Sequence, residues 1–108
     1  MAVFHWKLQR ISAILLAPAI IYITLYILNI RDLSYVEIVN DISSPQGLFF
    51  ISIVAAVLLV HSSLGIETIL EDYVHDVKLQ SRFVNLSKFF HAILFLLTLI
   101  SLIMIKGI

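Results

Sequence analysis

The residues of this chain best placed to do chemistry fall in the stretch HSSLGIETILEDY. His61, Gly65, Thr68 and Asp72 stand at i, i+4, i+7 and i+11, with Tyr73 next in sequence. A helix turns about 100° per residue, so these four positions form one stripe. An imidazole in apolar surroundings either hydrogen-bonds a neighbouring helix or ligates a metal. Haem ligation is the sharper of these readings, because a neutral imidazole nitrogen is a normal axial ligand and haem binds between bundle helices. Gly65, one turn from His61, removes a side chain from the same face, so a flat ligand or a second helix could approach there. Asp72 and Tyr73 suit a quinone. A phenol donates to a carbonyl oxygen, and a nearby carboxylate orients donors or helps deliver protons. Each also has a plainer reading, as a solvated acid at a helix end and an interfacial tyrosine.

The elements that must position these residues are membrane spans. The chain has 108 residues, 61% hydrophobic and 13% charged, with a net charge of zero and no cysteine. A soluble domain of this size would need far more polar surface. Zero net charge argues against a nucleic-acid partner. Without cysteine the chain can form no disulfide and supply no thiolate to an iron–sulfur cluster. No cleavable signal is expected in MAVFHWKLQR, which is short, amphipathic and followed directly by a spanning segment. Residues 11–30 are free of charge, and at 1.5 Å per residue a run of about 20 covers the roughly 30 Å of hydrocarbon. Pro18 within it is expected to kink the helix. The second span is predicted over 45–66 and continues as helix to about residue 74. It opens at Ser44 as N-cap and Pro45 at the first helical position. The third is predicted over 88–106, with Lys88 and Lys106 able to snorkel at its ends. The fold class is therefore an all-α membrane protein, one domain over residues 1–108. Its three transmembrane helices form an antiparallel bundle. Lys7, Arg10, Lys78, Arg82 and Lys88 fall on the side of the N-terminus, and Arg31 and Lys106 on the other. That bias predicts the N-terminus inside, in cytoplasm or mitochondrial matrix.

Several other polar residues need a place. Arg10, at the inner end of the first span, could pair with haem propionates or simply satisfy topology. Trp6 is an interfacial anchor, and His5 sits beside it. His75 lies in a polar loop. His91 enters the third span near the level of His61, which raises ligation of one haem by both histidines of this chain. Glu67 and Glu71 lie on a different face from the His61 stripe and are expected to meet water or a docking subunit. A transporter or channel would need more intramembrane polar groups than these spans offer.

The H-x10-D-Y spacing of His61, Asp72 and Tyr73, within HSSLG and EDYVHD, resembles the small hydrophobic membrane anchor (D, or cytochrome b small) subunits of succinate dehydrogenase, respiratory complex II. QRISAILL at residues 9–16 is similar to that family's Arg-x-Ser/Thr-Ala lead into the first helix. The resemblance covers most of the chain in architecture and two short segments in identity. It implies pairing with a second three-helix membrane subunit, the cytochrome b large subunit, with one haem b shared between them. On that likeness His61 is the axial iron ligand from this chain, with the other ligand on the partner, and Arg10 lies near the propionates. Tyr73 hydrogen-bonds the ubiquinone carbonyl, with Asp72 beside it. Flavoprotein and iron–sulfur subunits dock on the inner face, and electrons pass from succinate to quinone. The implied setting is a mitochondrial inner membrane or a bacterial cytoplasmic membrane. The alternative is a haem-free structural anchor of a fumarate reductase-like complex. The isolated chain is expected to have no activity.

Overall fold

In the computed structural model, which describes residues 2–107, four α-helices and one 3-10 turn account for nearly all of the chain. They are α1 (Ala2–Asn29), the 3-10 turn (Ile30–Asp32), α2 (Tyr35–Ser43), α3 (Pro45–Tyr73) and α4 (Val77–Lys106). Three helical segments, Val3–Asp32, Pro45–Tyr73 and Val77–Lys106, are long and apolar enough to cross a membrane. The fold is the expected all-α arrangement of three spans, with no strand among the described residues.

The helix boundaries follow from local chemistry. α3 begins where Ser44 and Pro45 predict it, with the Ser44 hydroxyl accepting from the Gly47 N–H at 3.0 Å. Pro45 costs nothing there, because its missing N–H would have been an orphan of the first turn. α1 starts at Ala2, well before the charge-free run, because the amphipathic lead-in continues the helix; it also runs through Pro18 as one element. α4 starts at Val77 rather than at Lys88. The Asp76 carboxylate caps it, accepting from the N–H groups of Lys78 and Leu79 at 3.0 and 3.2 Å. Gly107 closes α4 at φ 84°, a left-handed conformation suited to a helix C-terminus.

Hydrophobic spacing over residues 31–43 carries no spanning signal, and the structure fills it with the short helix α2. The cap that starts α2 is reciprocal: the Ser34 hydroxyl accepts from the Glu37 N–H, and the Glu37 carboxylate accepts from the Ser34 N–H at 2.6 Å. The Ser34 backbone N–H, and after it the Ser34 hydroxyl, hold the Glu37 carboxyl below the ordinary carboxylate range. The cap is therefore strongest above that range and is lost as pH falls through it. Tyr26 of α1 donates to Asp41 Oδ2 of α2 at 2.9 Å, tying α2 back to the first span.

At the α2–α3 corner the two backbones nearly touch. A Cβ at Gly47 would overlap the Asp41 carbonyl oxygen and lie 2.8 Å from that of Ile42. Both obstacles are backbone, so neither can rotate away. We expect Gly47→Ala to destabilise the chain by about 1–3 kcal/mol, read as an earlier midpoint in an SDS unfolding titration followed by circular dichroism. An unshifted midpoint would show that the corner can open.

α3 is the central helix, packing against α1 on one side and α4 on the other, with α2 across one end. The molecule measures 51 × 28 × 22 Å. Successive spans alternate in direction. Residues 2–10 and the α3–α4 connection therefore lie at one end of the bundle, called here the near end, and α2 lies at the far end. Very little is buried by the chain alone. Among the described residues the buried apolar ones are Leu16 and Leu102. The accessible surface is 8143 Å², against roughly 6,100 Å² for a soluble monomer of similar mass. The excess is aliphatic and aromatic side chains on the outer faces, which need lipid or other helices to cover them.

Candidate functional site

Two histidines enter the bundle from the near end, and each is fixed by a serine on another helix. His61 and Ser62 are neighbours on α3, so their side chains diverge by about 100°. His61 faces α1, where its Nδ1 lies 2.9 Å from the Ser12 Oγ. Ser62 faces α4, where its Oγ lies 3.0 Å from His91 Nε2. The central helix thus carries one serine–histidine hydrogen bond to each neighbour, a modest interhelical contribution within a membrane bundle. Ser12 is the buried polar residue of the described chain, 5% exposed.

The two imidazoles are not equivalent. His91 has both nitrogens engaged: Nδ1 donates to the Ser87 carbonyl oxygen at 2.7 Å, which leaves Nε2 to accept from the Ser62 hydroxyl. A ring held at both ends within its own chain is a structural tether. His61 uses Nδ1 only, and its Nε2 has no hydrogen-bond partner among the described residues.

The rest of the predicted stripe divides. Beside Gly65 there is room: a Cβ built there would meet only the Gln9 amide nitrogen, at 3.9 Å. Thr68 bonds back to the Leu64 carbonyl oxygen at 3.0 Å and so serves its own helix. Asp72 and Tyr73 occupy the last turn of α3. Both are exposed, Tyr73 at 80%. They lie about 16–18 Å along the helix from His61, so the structure does not bring them to it. Arg10 is exposed at the near end, with its guanidinium 5.4 Å from the Trp6 ring centroid. This cation–π contact gives Trp6 a role besides that of an interfacial anchor, since it holds the arginine along the helix axis.

The geometry adds residues that spacing did not single out. Ser12 and Ser62 depend on the register between helices, which no single-helix pattern encodes. His5 of α1 meets Glu67 and Glu71 of α3, with ligand atoms of all three within 4.8 Å of one another. Glu67 Oε2 is buried with no hydrogen-bond partner. Glu67 is therefore drawn against α1 rather than turned to water as its position on the helix suggests. A buried carboxylate oxygen left without a donor costs stability until one reaches it. A cleft of about 450 Å³ lies elsewhere, at the far end, among Tyr22, Tyr26, Asp41, Phe50 and neighbouring aliphatic residues.

The whole-chain pattern has relatives. A family model described as the succinate dehydrogenase/fumarate reductase transmembrane subunit matches residues 1–105. The chain is 41% identical over 78 residues to the succinate dehydrogenase membrane anchor subunit of Reclinomonas americana, a match covering 68% of this chain and 64% of that one. The chain thus spans somewhat less than two thirds of that relative's length. It is 29% identical over 86 residues to the succinate dehydrogenase hydrophobic membrane anchor subunit of Rickettsia felis, covering 80% of this chain and 72% of the relative. The corresponding subunit of Rickettsia prowazekii is 26% identical over 86 residues, covering 80% and 69%. No solved structure matches at a significant level. Three apolar spans, an interior histidine on the central one and a match along almost the full length fit one description. This multi-pass membrane chain belongs to the succinate dehydrogenase/fumarate reductase transmembrane subunit family.

Proposed function

We propose that this chain, with a second three-helix membrane subunit, holds one haem b and one face of a ubiquinone site in a succinate:ubiquinone oxidoreductase. The near end would dock the iron–sulfur and flavoprotein subunits. The observation that carries this reading is His61: an imidazole within a span, on the central helix, with one ring nitrogen left over and open space one turn away at Gly65.

The residues present fit a haem. Its iron would be held by His61, and its propionates would meet Arg10 at the near end. When bound, the haem supplies a one-electron redox centre within the membrane. His61 contributes an electron pair and a fixed ring. Arg10 contributes a permanent cation whose direction is set by Trp6. Gly65 contributes the absence of a side chain.

At the quinone the chemistry is proton and hydrogen-bond chemistry. The Tyr73 phenol donates to a quinone carbonyl oxygen, stabilising the negative charge that builds as the ring is reduced. The Asp72 carboxylate, one residue earlier, orients neighbouring donors and passes protons from the aqueous side. Both are exposed in this chain, so the pocket needs walls from partner subunits. We place the N-terminus on the inner side, in matrix or bacterial cytoplasm. The near end carries Lys7, Arg10, Lys78, Arg82 and Lys88, against Arg31 and Lys106 at the far end.

Gly65 provides the test. Gly65→Ala meets no close neighbour and should be tolerated by the fold. Gly65→Leu projects further into the gap. In the assembled complex we expect it to cut haem content severalfold or more, while α3 and the copurifying subunits persist. Undiminished haem in the leucine variant would show that the ligand does not use this face.

A further inference from the structure

Ser12 has a role beyond joining two helices. Its hydroxyl carries a single hydrogen, and that hydrogen is donated to the Gln9 carbonyl oxygen at 2.9 Å. What remains toward His61, also at 2.9 Å, is a lone pair. A lone pair can only accept, so His61 Nδ1 must carry the proton. A neutral imidazole has one N–H, and its Nε2 then holds the free electron pair. The opposite assignment fails on satisfaction. With the proton on Nε2, the serine would have to abandon Gln9, and an N–H donor without a partner would stand inside the apolar span. Ser12 is held for this task by its 5% exposure and by a bond to its own helix one turn back.

We propose that Ser12 is a positioning residue for the haem: it selects the His61 tautomer, leaves Nε2 as the nitrogen for iron, and tunes the iron's electronics through the Nδ1–H···O bond. This rests on the haem reading above. A hydrogen bond accepted from the distal nitrogen of a ligating imidazole makes the ring a stronger donor and fixes its orientation. A stronger donor stabilises the ferric state, so removing the acceptor raises the reduction potential.

The test is a redox titration of the haem band in the assembled complex, with Ser12→Ala, Ser12→Val and Ser12→Thr beside the unaltered protein. Thr and Val have nearly the same shape, and only Thr keeps the hydroxyl. We expect Ala and Val to move the ferric–ferrous equilibrium toward ferrous by about threefold to tenfold. The upper figure corresponds to 59 mV for one electron. The same two variants should lose haem more readily, while Thr stays near the unaltered protein. Potentials in Ala and Val that match the unaltered complex, with haem bound, would overturn the proposal. A second readout needs no variant. Electron–nuclear double resonance of the ferric complex should find an exchangeable hydrogen-bonded proton on His61 Nδ1, and iron bound through Nδ1 would overturn it equally. If the unaltered complex has no b-type haem, or if His61→Ala retains it in full, the haem reading itself fails rather than the role of Ser12.

Discussion

We expect His61→Ala to remove b-type haem from the assembled complex and to leave the three spans in place. The expected loss is large because, on the proposed reading, the substitution deletes the iron's ligand itself. Removing only a residue that supports a ligand typically costs 10–100-fold in metal affinity, so deleting the ligand is expected to exceed about a hundredfold. The fold should survive, because little depends on the imidazole. His61 is only half-buried, and its one hydrogen bond is to Ser12. Ser12 keeps its bond to the Gln9 carbonyl after the change and is not left as an orphan donor. The α3–α4 contact retains its own tether through Ser62 and His91. The measurement is the reduced-minus-oxidised spectrum of the purified complex, normalised to flavin, with subunit composition checked on the same sample. An undiminished band in the variant would contradict the assignment. An intact unaltered complex with no such band would favour the haem-free anchor.

Tyr73→Phe has the second largest expected effect, on a different observable. The phenol lies at the C-terminal end of α3, 80% exposed, with no hydrogen-bond partner among the described residues. Deleting one hydroxyl oxygen there opens no cavity and breaks no internal bond, so assembly and haem content should be unchanged. On the proposed reading, what is lost is a hydrogen bond to a quinone carbonyl oxygen that gains negative charge during reduction. Hydrogen bonds to charged groups contribute about 1.5–3 kcal/mol, so kcat/KM for the quinone should fall on the order of tenfold to a hundredfold. Succinate oxidation with an artificial acceptor that bypasses the membrane should be unaffected. Unchanged quinone kinetics would remove Tyr73 from the site.

Much of this molecule is legible in its residues, and the limits have physical causes. The three spans follow from runs of apolar residues longer than any soluble helix needs. The start of α3 follows from Ser44 and Pro45, a local signal that tertiary packing did not override. The starts of α1 and α4 are less visible. Both helices extend beyond the hydrocarbon into residues with charges, where hydropathy no longer reports on helix. α2 does have a local signature, the Ser34–Glu37 capping box, but it is a short amphipathic helix outside the span pattern. The site divides in the same way. His61, Gly65, Asp72 and Tyr73 share one helix, so their relative placement is a matter of periodicity. The partners of His61 and His91 are set by the register between helices. Ser12 is one of several hydroxyl residues along the spans, and only the packing of α1 on α3 selects it. The apposition of His5 with Glu67 likewise needs the two helices in contact.

The most direct test is a structure of the assembled complex from its native membrane, resolved well enough to see the haem. We predict iron at bonding distance from His61 Nε2, Nδ1 of the same ring within hydrogen-bond reach of Ser12 Oγ, and the second axial ligand on another subunit. Iron held by a different residue of this chain, or a His61 ring turned to acyl chains with no porphyrin beside it, would contradict the central claim.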